Sequence, residues 1–528
     1  MTEWSRRTFL KGSVAVGATS CFGRPAQSAA IAIPDTWDET RDVVIVGSGF
    51  AGLAAAIEAK AIGADTLILE KMREPGGNSA INGGSMVATG CPQQLKHGID
   101  DSPTLLAKDM LAAGMRMCQP QKVALVANHA LANYEWTVNV LGVTYNETII
   151  GQEDGHSVAR YVVTKNGTGR DIVTKMLDKV ANLGAELRLS TYVEHLYRDD
   201  EGRIVGLQVR EGWQFPNKDS GVTKTIRVKK GIVLCYGGFA ADVRYRTMLD
   251  PKLTKAMDTT NQPGATAELW RETSRIGCAQ VHNDWIQCTP WNSPAETGMG
   301  LGWTFSQSGA AEYGLWVSTS GKRFVNELAN RKVRSDAILA QEAHGFKTYA
   351  LCNEPNLQAY RASRPGLLED LVRRGIVKVY PMLTDVAEAM KIPASMLRET
   401  VDRFNEAVVN QYDPDFNRSF NRVQVPLVQG PWYVAQMSPK VHHCMGGLVT
   451  DLQCRVLDIS SSLPIPGLFA AGEATSGVHG AVRLGACATL DCLVNGRIAG
   501  REAATRASTY SFGSVARLTS PPNLADHF

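Results

Sequence analysis

Residues 41–71 read RDVVIVGSGFAGLAAAIEAKAIGADTLILEK, and the order of features in this stretch decides the fold. Val43–Val46 is an apolar run of strand length, Gly47, Gly49 and Gly52 follow at once, and Ala51–Ile62 has the small, apolar texture of a helix packed on a sheet. Gly47 permits the tight turn out of the strand and Gly49 lets backbone approach a pyrophosphate. Gly52 lets helix and strand pack closely, so that the helix N-terminus aims at the phosphates. A second strand, Thr66–Leu69, ends in Glu70, 23 positions after Gly47. There a ribose hydroxyl needs an acceptor and a 2′-phosphate would be repelled. Strand, glycines, helix, strand and acid in one unit specify a dinucleotide cradle. They do not by themselves separate NAD from FAD.

Upstream, residues 1–30 form no part of the expected fold. Ser5-Arg6-Arg7-Thr8-Phe9-Leu10-Lys11 sets two arginines before the modest apolar stretch 12–22, and Ala26-Gln27-Ser28-Ala29-Ala30 offers small residues for cleavage. This is the layout of a twin-arginine export signal, with an apolar segment too short to span a bilayer. A signal of that kind carries a protein already folded around its cofactor. Cys21 sits in a poor lipoprotein context, so the expected product is soluble and periplasmic, not membrane-spanning.

The 528 residues suffice for two or three domains at about 150 residues each. Net charge is +3, from 55 basic and 52 acidic residues without a polybasic run, which sets nucleic acid aside as a partner. The eleven cysteines include no CxxC and no CxxCH, so zinc, iron–sulfur and covalent haem sites are not expected and the metal assignment is none. If Cys21 leaves with the signal an even number remains, and disulfides stay open.

Downstream of the cradle, Gly76-Gly77-Asn78-Ser79 and Gly83-Gly84 crowd small residues into a loop where a flat ring system could lie against backbone. Residues 101–115, 121–141 and 171–183 read as helices. His156, in a polar loop, reads as a hydrogen-bonding residue rather than a catalyst. From 186 to 234 short β-runs (186–189, 192–197, 204–209, 224–228, 232–234) return the chain to the cofactor sheet, and Tyr236-Gly237-Gly238-Phe239 again presents bare backbone. About residues 289–441 the texture changes to that of a separate, cap-like module. It has Trp291, Trp303 and Trp316, a hairpin-like stretch 317–325, and helices near 335–344 and 395–411. Cofactor-domain character resumes at 465–504, where Gly467-Leu468-Phe469-Ala470-Ala471-Gly472-Glu473 precedes a helix rich in small residues.

Four separated stretches resemble one family, the FAD-containing fumarate reductase and succinate dehydrogenase flavoproteins, in particular soluble periplasmic flavocytochrome c fumarate reductases and urocanate reductases. They are residues 47–71 with 76–84, Gly321-Lys322-Arg323-Phe324-Val325-Asn326-Glu327, His442-His443-Cys444-Met445-Gly446-Gly447, and residues 472–485. The resemblance spans about residues 40–510 and implies non-covalent FAD. The implied architecture is α/β, α+β overall: a Rossmann-like FAD-binding domain (31–287 and 442–510) interrupted by a mobile capping domain (288–441), with a tail at 511–528. It also implies the cofactor-binding set Gly47, Gly49, Ala51, Gly52, Glu70, Lys71, Gly77, Asn78, Ser79, Gly83, Gly84, Val193, Gly237, Gly238, His443, Glu473, Ala488 and Leu490. His443 and His479 fit roles at or behind the flavin edge. Glu473 is similar to the acid that bonds the ribityl chain, and 488–490 begin a helix facing the ring where charge collects on reduction.

In the same resemblance His442 and Arg483 grip a substrate carboxylate, a task suited to a planar guanidinium, and Arg331 is the proton-donating cap arginine. An arginine is a poor general acid unless a tight site and a relay support it. Thr289, Ser306 and Gln307 stand where the family holds the second carboxylate, yet the family histidine at 289 is missing, and so are the Glu and Arg of its proton relay. Arg334, Asp336 and Glu327 are the candidate substitutes, and Cys444 and Cys487 replace a usual Thr and Asn. The expected activity is an exported ene-reductase and respiratory terminal reductase for a small-molecule unsaturated carboxylate, an acrylate or cinnamate-like acid rather than fumarate. The alternatives are a desaturase of the ketosteroid type and a non-catalytic flavin-binding protein. A separate c-type cytochrome or quinol-linked partner is expected to supply electrons.

Overall fold

The computed structural model describes residues 31–153, 155–420, 423 and 425–505. The expected signal peptide (1–30) and tail (511–528) lie outside the described residues. The first strand, Glu39–Val46, is the spine of an eight-stranded sheet. It pairs in parallel with Thr66–Leu69 on one side and with Val222–Leu234 on the other. Pro464–Ala470 extends the parallel sheet beyond Val222–Leu234, and Glu186–Arg188 extends it beyond Thr66–Leu69. Val43, Val44 and Ile45 are completely buried, as a parallel strand covered on both faces requires. The two β-runs read at 224–228 and 232–234 are one thirteen-residue strand, with a register shift opposite Arg41 and Val43.

Helix Phe50–Ala61 lies against the C-terminal helix Cys487–Thr505, and the small residues of both explain the contact. A Cβ on Gly496 would stand 2.4 Å from the Ala51 carbonyl oxygen, and one on Gly500 2.1 Å from that of Ala55. Backbone touching backbone at two successive turns ties the last segment of the chain to the first. That contact carries Glu473 and Arg483 back to the cradle.

The inserted module has its own five-stranded antiparallel sheet, in which Ile286–Asn292, Trp432–Cys444, Thr348–Asn353 and Leu315–Ser318 lie in that order and Lys378–Tyr380 adds to Trp432–Cys444. Alternate residues separate its two cores. Val317, Leu351 and Val434 pack with Leu397, Val401 and Phe404 on one face, and Trp316, Ala350 and Ala435 pack with Trp291 and Ile338 on the other. The expected boundaries at 287/288 and 441/442 fall inside two paired strands, with Gln287 opposite His443 and Cys288 opposite Val441. A continuous two-stranded ribbon therefore joins the modules.

Three local expectations differ from the structure. Stretch 317–325 turns but does not return as a second strand, because Arg323 points inward to Glu327 (2.8 Å) and Asp413 (2.9 Å). The helix read at 121–141 is two, Pro120–Asn128 and Ala130–Asn139, broken at His129. The cap helix starts four residues early, at Arg331, because the Asn330 side chain accepts from the Val333 N–H at 3.0 Å and caps it. Arg331 is thereby the first residue of a capped helix.

Candidate active site

Where the first strand ends, Gly47 has φ +105°, and a Cβ there would stand 2.3 Å from the Cys235 carbonyl oxygen. A Cβ on Gly52 would come within 1.9 Å of the Gly47 oxygen. The chain can make this turn only with glycine at both positions. Glu70 accepts from Ser48 N–H (3.1 Å), Ser48 Oγ–H (2.6 Å) and Met72 N–H (2.9 Å), while Ser79 Oγ accepts from Phe50 N–H at 2.9 Å. These groups line a cleft of about 940 Å³ including its mouth.

Of the residues expected around a cofactor, Gly47, Gly49, Ala51, Glu70, Lys71, Gly77, Asn78, Ser79, Val193, Gly237, Gly238 and Glu473 line this cleft. Gly52 packs directly beneath it. Gly83 and Gly84 stand away from the cleft lining, and Gly84 makes room for Thr164 and Thr168 instead. Ala488 and Leu490 lie in the first turn of the C-terminal helix, behind Ala486, whose φ of 56° turns the chain into it. Tyr236, in the stretch read as presenting bare backbone, lines the cleft, and Ser48, Thr266, Glu268 and Cys492 line it without having been anticipated. Only Ser48 had a visible signal, its place between Gly47 and Gly49. Lys71 donates to Thr266 Oγ1 at 2.6 Å and pairs with Glu268 at 3.3 Å across the cleft.

On the wall of the cleft, Glu473 accepts from Cys444 N–H at 2.9 Å and approaches His443 Nδ1 at 3.4 Å. Burial pushes its carboxyl up to about 7, against the lowering effect of the Cys444 and Gly238 amides and the Arg483 charge. His479 meets Asp491 at 3.0 Å, and its ring stands edge-on to His443 with centroids 5.5 Å apart. Burial, then Arg483 and neighbouring His479 and His442, hold His443 well below the usual imidazole range.

Arg483, His442, Thr260, Arg331 and Glu153 come from five separate segments of the chain. The Arg483 Nη2–H points at His442 Nε2 at 3.2 Å, and His442 Nδ1 lies 2.7 Å from Thr260 Oγ1. Burial, then Arg483 and Arg331, hold His442 far below its ordinary value and therefore neutral. Burial and the nearby Arg331 bring Arg483 down to about 10. Arg331 lies over the Trp291 ring, 5.0 Å from its centroid, and its Nη2 is 2.5 Å from Glu153 Oε2. Glu153 and Thr260 are site residues that sequence reading missed.

Of the three residues assigned to a second carboxylate, Thr289 and Gln307 have side-chain partners. Thr289 is fully buried and bonds the Asn292 side chain. The Ser306 carbonyl accepts from Trp316 Nε1–H at 3.1 Å, and Gln307 Oε1 accepts from Arg334 at 2.6 Å. Both lie in the wide π-helical turn Phe305–Ala311. Of the candidate relay residues, Glu327 is buried between Arg323 and Arg418 and held at about 2, and Asp336 pairs at the surface with Lys332 at 2.7 Å. Trp291 is core of the cap with its ring beneath both Arg331 and Arg334, and Trp303 packs beside that core under Arg364.

A flavin fits this site on a structural ground. Arg483 Nε, His443 Nε2, His479 Nδ1 and Gln287 Oε1 are buried without a hydrogen-bond partner among the described residues. They belong to one contiguous set, since Gln287 lies opposite His443 and donates to the Arg483 carbonyl. Leaving such atoms unpaired costs about 1–3 kcal/mol each, so this set of groups is suited to a guest with polar atoms. Among the described residues no group of three or more His, Cys, Asp or Glu is placed to hold a metal ion, the ten cysteines are free, and no helix is long and apolar enough to cross a membrane.

Known proteins place the chain. It is 35% identical over 503 residues to the acrylate reductase flavoprotein subunit of Shewanella woodyi, covering 94% of this chain and 97% of that one. It is 31% identical over 499 residues to the urocanate reductase of Eggerthella lenta, covering 93% and 79%. A flavocytochrome c3 fumarate reductase in its open conformation superimposes with a TM-score of 0.72 at 28% identity, over 88% of this chain and 78% of that one. Residues 42–489 match the model of the FAD binding domain family, so the glycine turn, the acid after the second strand and the returning C-terminal helix are those of an FAD-dependent oxidoreductase, and the chain belongs to that family.

Proposed function

We propose that this protein reduces the carbon–carbon double bond of an α,β-unsaturated carboxylic acid. The observation that carries the reading is the convergence of Arg331, Arg483 and His442, with Arg483 Nη2 3.2 Å from His442 Nε2 and the Arg331 charge acting on both. Together they form a clamp for one carboxylate, with a proton donor beside it. Reduced FAD, when bound, supplies a hydride from N5 to the β-carbon. Arg483 and His442 hold the substrate carboxylate and stabilise the charge that develops on it. His442 is neutral, and the Thr260 hydroxyl can donate to or accept from Nδ1. With a carboxylate present, Thr260 donates to Nδ1 and leaves an Nε2–H free to bond the substrate. Arg331, fixed by the helix cap and the Trp291 face, delivers its proton to the α-carbon.

The substrate we infer is a monocarboxylate with a neutral distal group, an acrylate or cinnamate-like acid. Its support is the bond of Thr289 to Asn292, which occupies the hydroxyl at that position, and the bond of Gln307 Oε1 to Arg334, which leaves a neutral amide Nε2 as the one side-chain donor of Gln307. The cation there, Arg334, already donates to Gln307 Oε1 and to the Glu327 carbonyl oxygen, and burying a dianion without a further cationic partner is costly. Two relatives named for acrylate and urocanate, both monocarboxylates, agree with this. The test is oxidation of reduced viologen across fumarate, urocanate, methacrylate and cinnamates. Monocarboxylates should exceed fumarate in kcat/KM. Fumarate as the best substrate would overturn the clamp argument, and silence with every enoate would overturn the reductase.

The cellular setting we propose is the periplasm, reached through the twin-arginine signal, with the protein acting as a respiratory terminal reductase. A separate c-type cytochrome or quinol-linked donor supplies the electrons. The sequence has no haem attachment motif, and the similar Shewanella woodyi protein is named a subunit. Replacing Arg6 and Arg7 by lysine should retain the protein in the cytoplasm, and the purified protein should absorb as flavin without haem.

A further inference from the structure

An arginine that gives up a proton in every turnover must be recharged from water, and the two carboxylates suggested by sequence, Glu327 and Asp336, are paired with other cations. Glu327 is neutralised by Arg323 and Arg418, and Asp336 faces solvent with Lys332. Among the described residues the carboxylate in contact with Arg331 is Glu153, at 2.5 Å, 178 positions away in sequence. We infer that Glu153 is the proton relay of this enzyme, passing protons from bulk water to Arg331 after each transfer to substrate. The inference rests on the enoate-reductase reading above.

Three observations make the geometry specific. Glu153 keeps 31% of its side chain exposed while Arg331 keeps 11%, so the carboxylate has one side on the guanidinium and one on water. Its place is built: a Cβ on Gly485 would stand 1.8 Å from Glu153 Oε2, so glycine at 485 leaves the space the carboxylate occupies. The loop is held there by His156, whose N–H donates to the Glu153 carbonyl (3.1 Å) and whose Nε2 lies 3.0 Å from the Gly485 carbonyl oxygen. Gly485 is two residues from Arg483, so the relay is anchored to the carboxylate clamp itself.

The proton count closes without a co-reactant. Arg331 in its charged form passes one proton to the α-carbon and becomes neutral. Glu153, as carboxylate, takes one proton from water and hands it to Arg331, which restores the original ion pair. Burial raises the Glu153 carboxyl, but Arg331, Arg483 and His156 outweigh it and keep it ionised at rest. Loss of the Arg331 charge removes the largest of these opposing influences, so Glu153 becomes more basic at the moment a proton is needed.

The test uses the FAD-loaded enzyme, photoreduced and mixed with an enoate. Arg331 begins charged in any variant, so Glu153→Gln should complete the first turnover within about threefold of wild type. It should then slow about 10²–10³-fold in steady state, the range of a lost proton-transfer group. The Kd of the enoate for the oxidised enzyme, read from the flavin spectrum, should change less than about twofold. Glu153→Asp, a carboxylate one methylene shorter, should recover part of the steady-state rate. Steady-state turnover retained in Glu153→Gln, or a first turnover slowed as much as later ones, overturns the relay. Failure of the reduced wild-type enzyme to react with any enoate overturns instead the reading beneath it.

Discussion

At the flavin end of the site, recognition is the work of main chain. Gly47 and Gly52 clear the way for backbone, Gly238 makes room for Glu473, and the side chains that contribute, such as Glu70 and Ser79, hold the turn in shape. At the proposed substrate end Arg331, His442, Arg483 and Glu153 converge as side chains from four distant segments, two of them on the flavin module and one on the cap, with His442 on the ribbon between. A site made of backbone tolerates almost no change in residue type where backbone is close. A site made of side chains tolerates many changes in shape and few in charge.

Four measurements bear on that difference. Gly52→Ala drives a methyl into the Gly47 carbonyl and should abolish FAD binding altogether, with a flavin-to-protein ratio near zero and a steep fall in soluble yield. Arg331→Ala should do the reverse, keeping full flavin content while kcat falls about 10³-fold or more. Loss of flavin in the arginine variant, or retention in the glycine variant, would erase the distinction.

The third concerns pH. The Glu473 carboxyl is raised from an ordinary 4.5 to about 7, so between those values the unfolded chain has released a proton that the fold retains. Its contribution to stability is whole below pH 4.5 and is lost as pH rises through 7, about 3 kcal/mol in all. His442 and His443, held low, act in the opposite sense and lose stability as pH falls below 6.5. The effect of Glu473 is therefore read as the difference between wild type and Glu473→Gln. The flavin-free variant should melt higher relative to wild type at pH 8 than at pH 5. An unchanged difference would show that Glu473 ionises freely. The smallest effect is at Asp336, whose exposed pair with Lys332 holds no part of the site. Asp336→Asn should leave kcat within about twofold and stability within about 0.5 kcal/mol.

The same difference explains what could be read from the sequence. Steric requirements of main chain leave glycines at fixed spacings, so residues 41–71 disclose the strand, the turn and the helix together. The small residues of 487–503 likewise announced a closely packed helix. Arg331 and Arg483 have no periodicity to mark them and became visible through family resemblance. Glu153 had neither signal, because it lies in a short irregular loop and meets its partner only through tertiary packing. In hindsight Gly485 was its one trace, since a glycine two residues after the clamp arginine leaves room for a carboxylate. Arg323 misled in the other direction, since its buried pairs with Glu327 and Asp413 override the local preference for a hairpin.

The ribbon formed by Ile286–Asn292 and Trp432–Cys444 gives the molecule an unequal lever. His442 stands at its fulcrum, within the strand pair that crosses between modules, whereas Arg331 rides out on the cap helix and Glu153 waits on the opposite shore. A swing of the cap about that fulcrum would barely shift the histidine yet would part the arginine from the glutamate. Under the clamp and relay proposed above, grip on the carboxylate would outlast the supply of protons, and an opened enzyme would be left holding its acid with the chemistry disarmed.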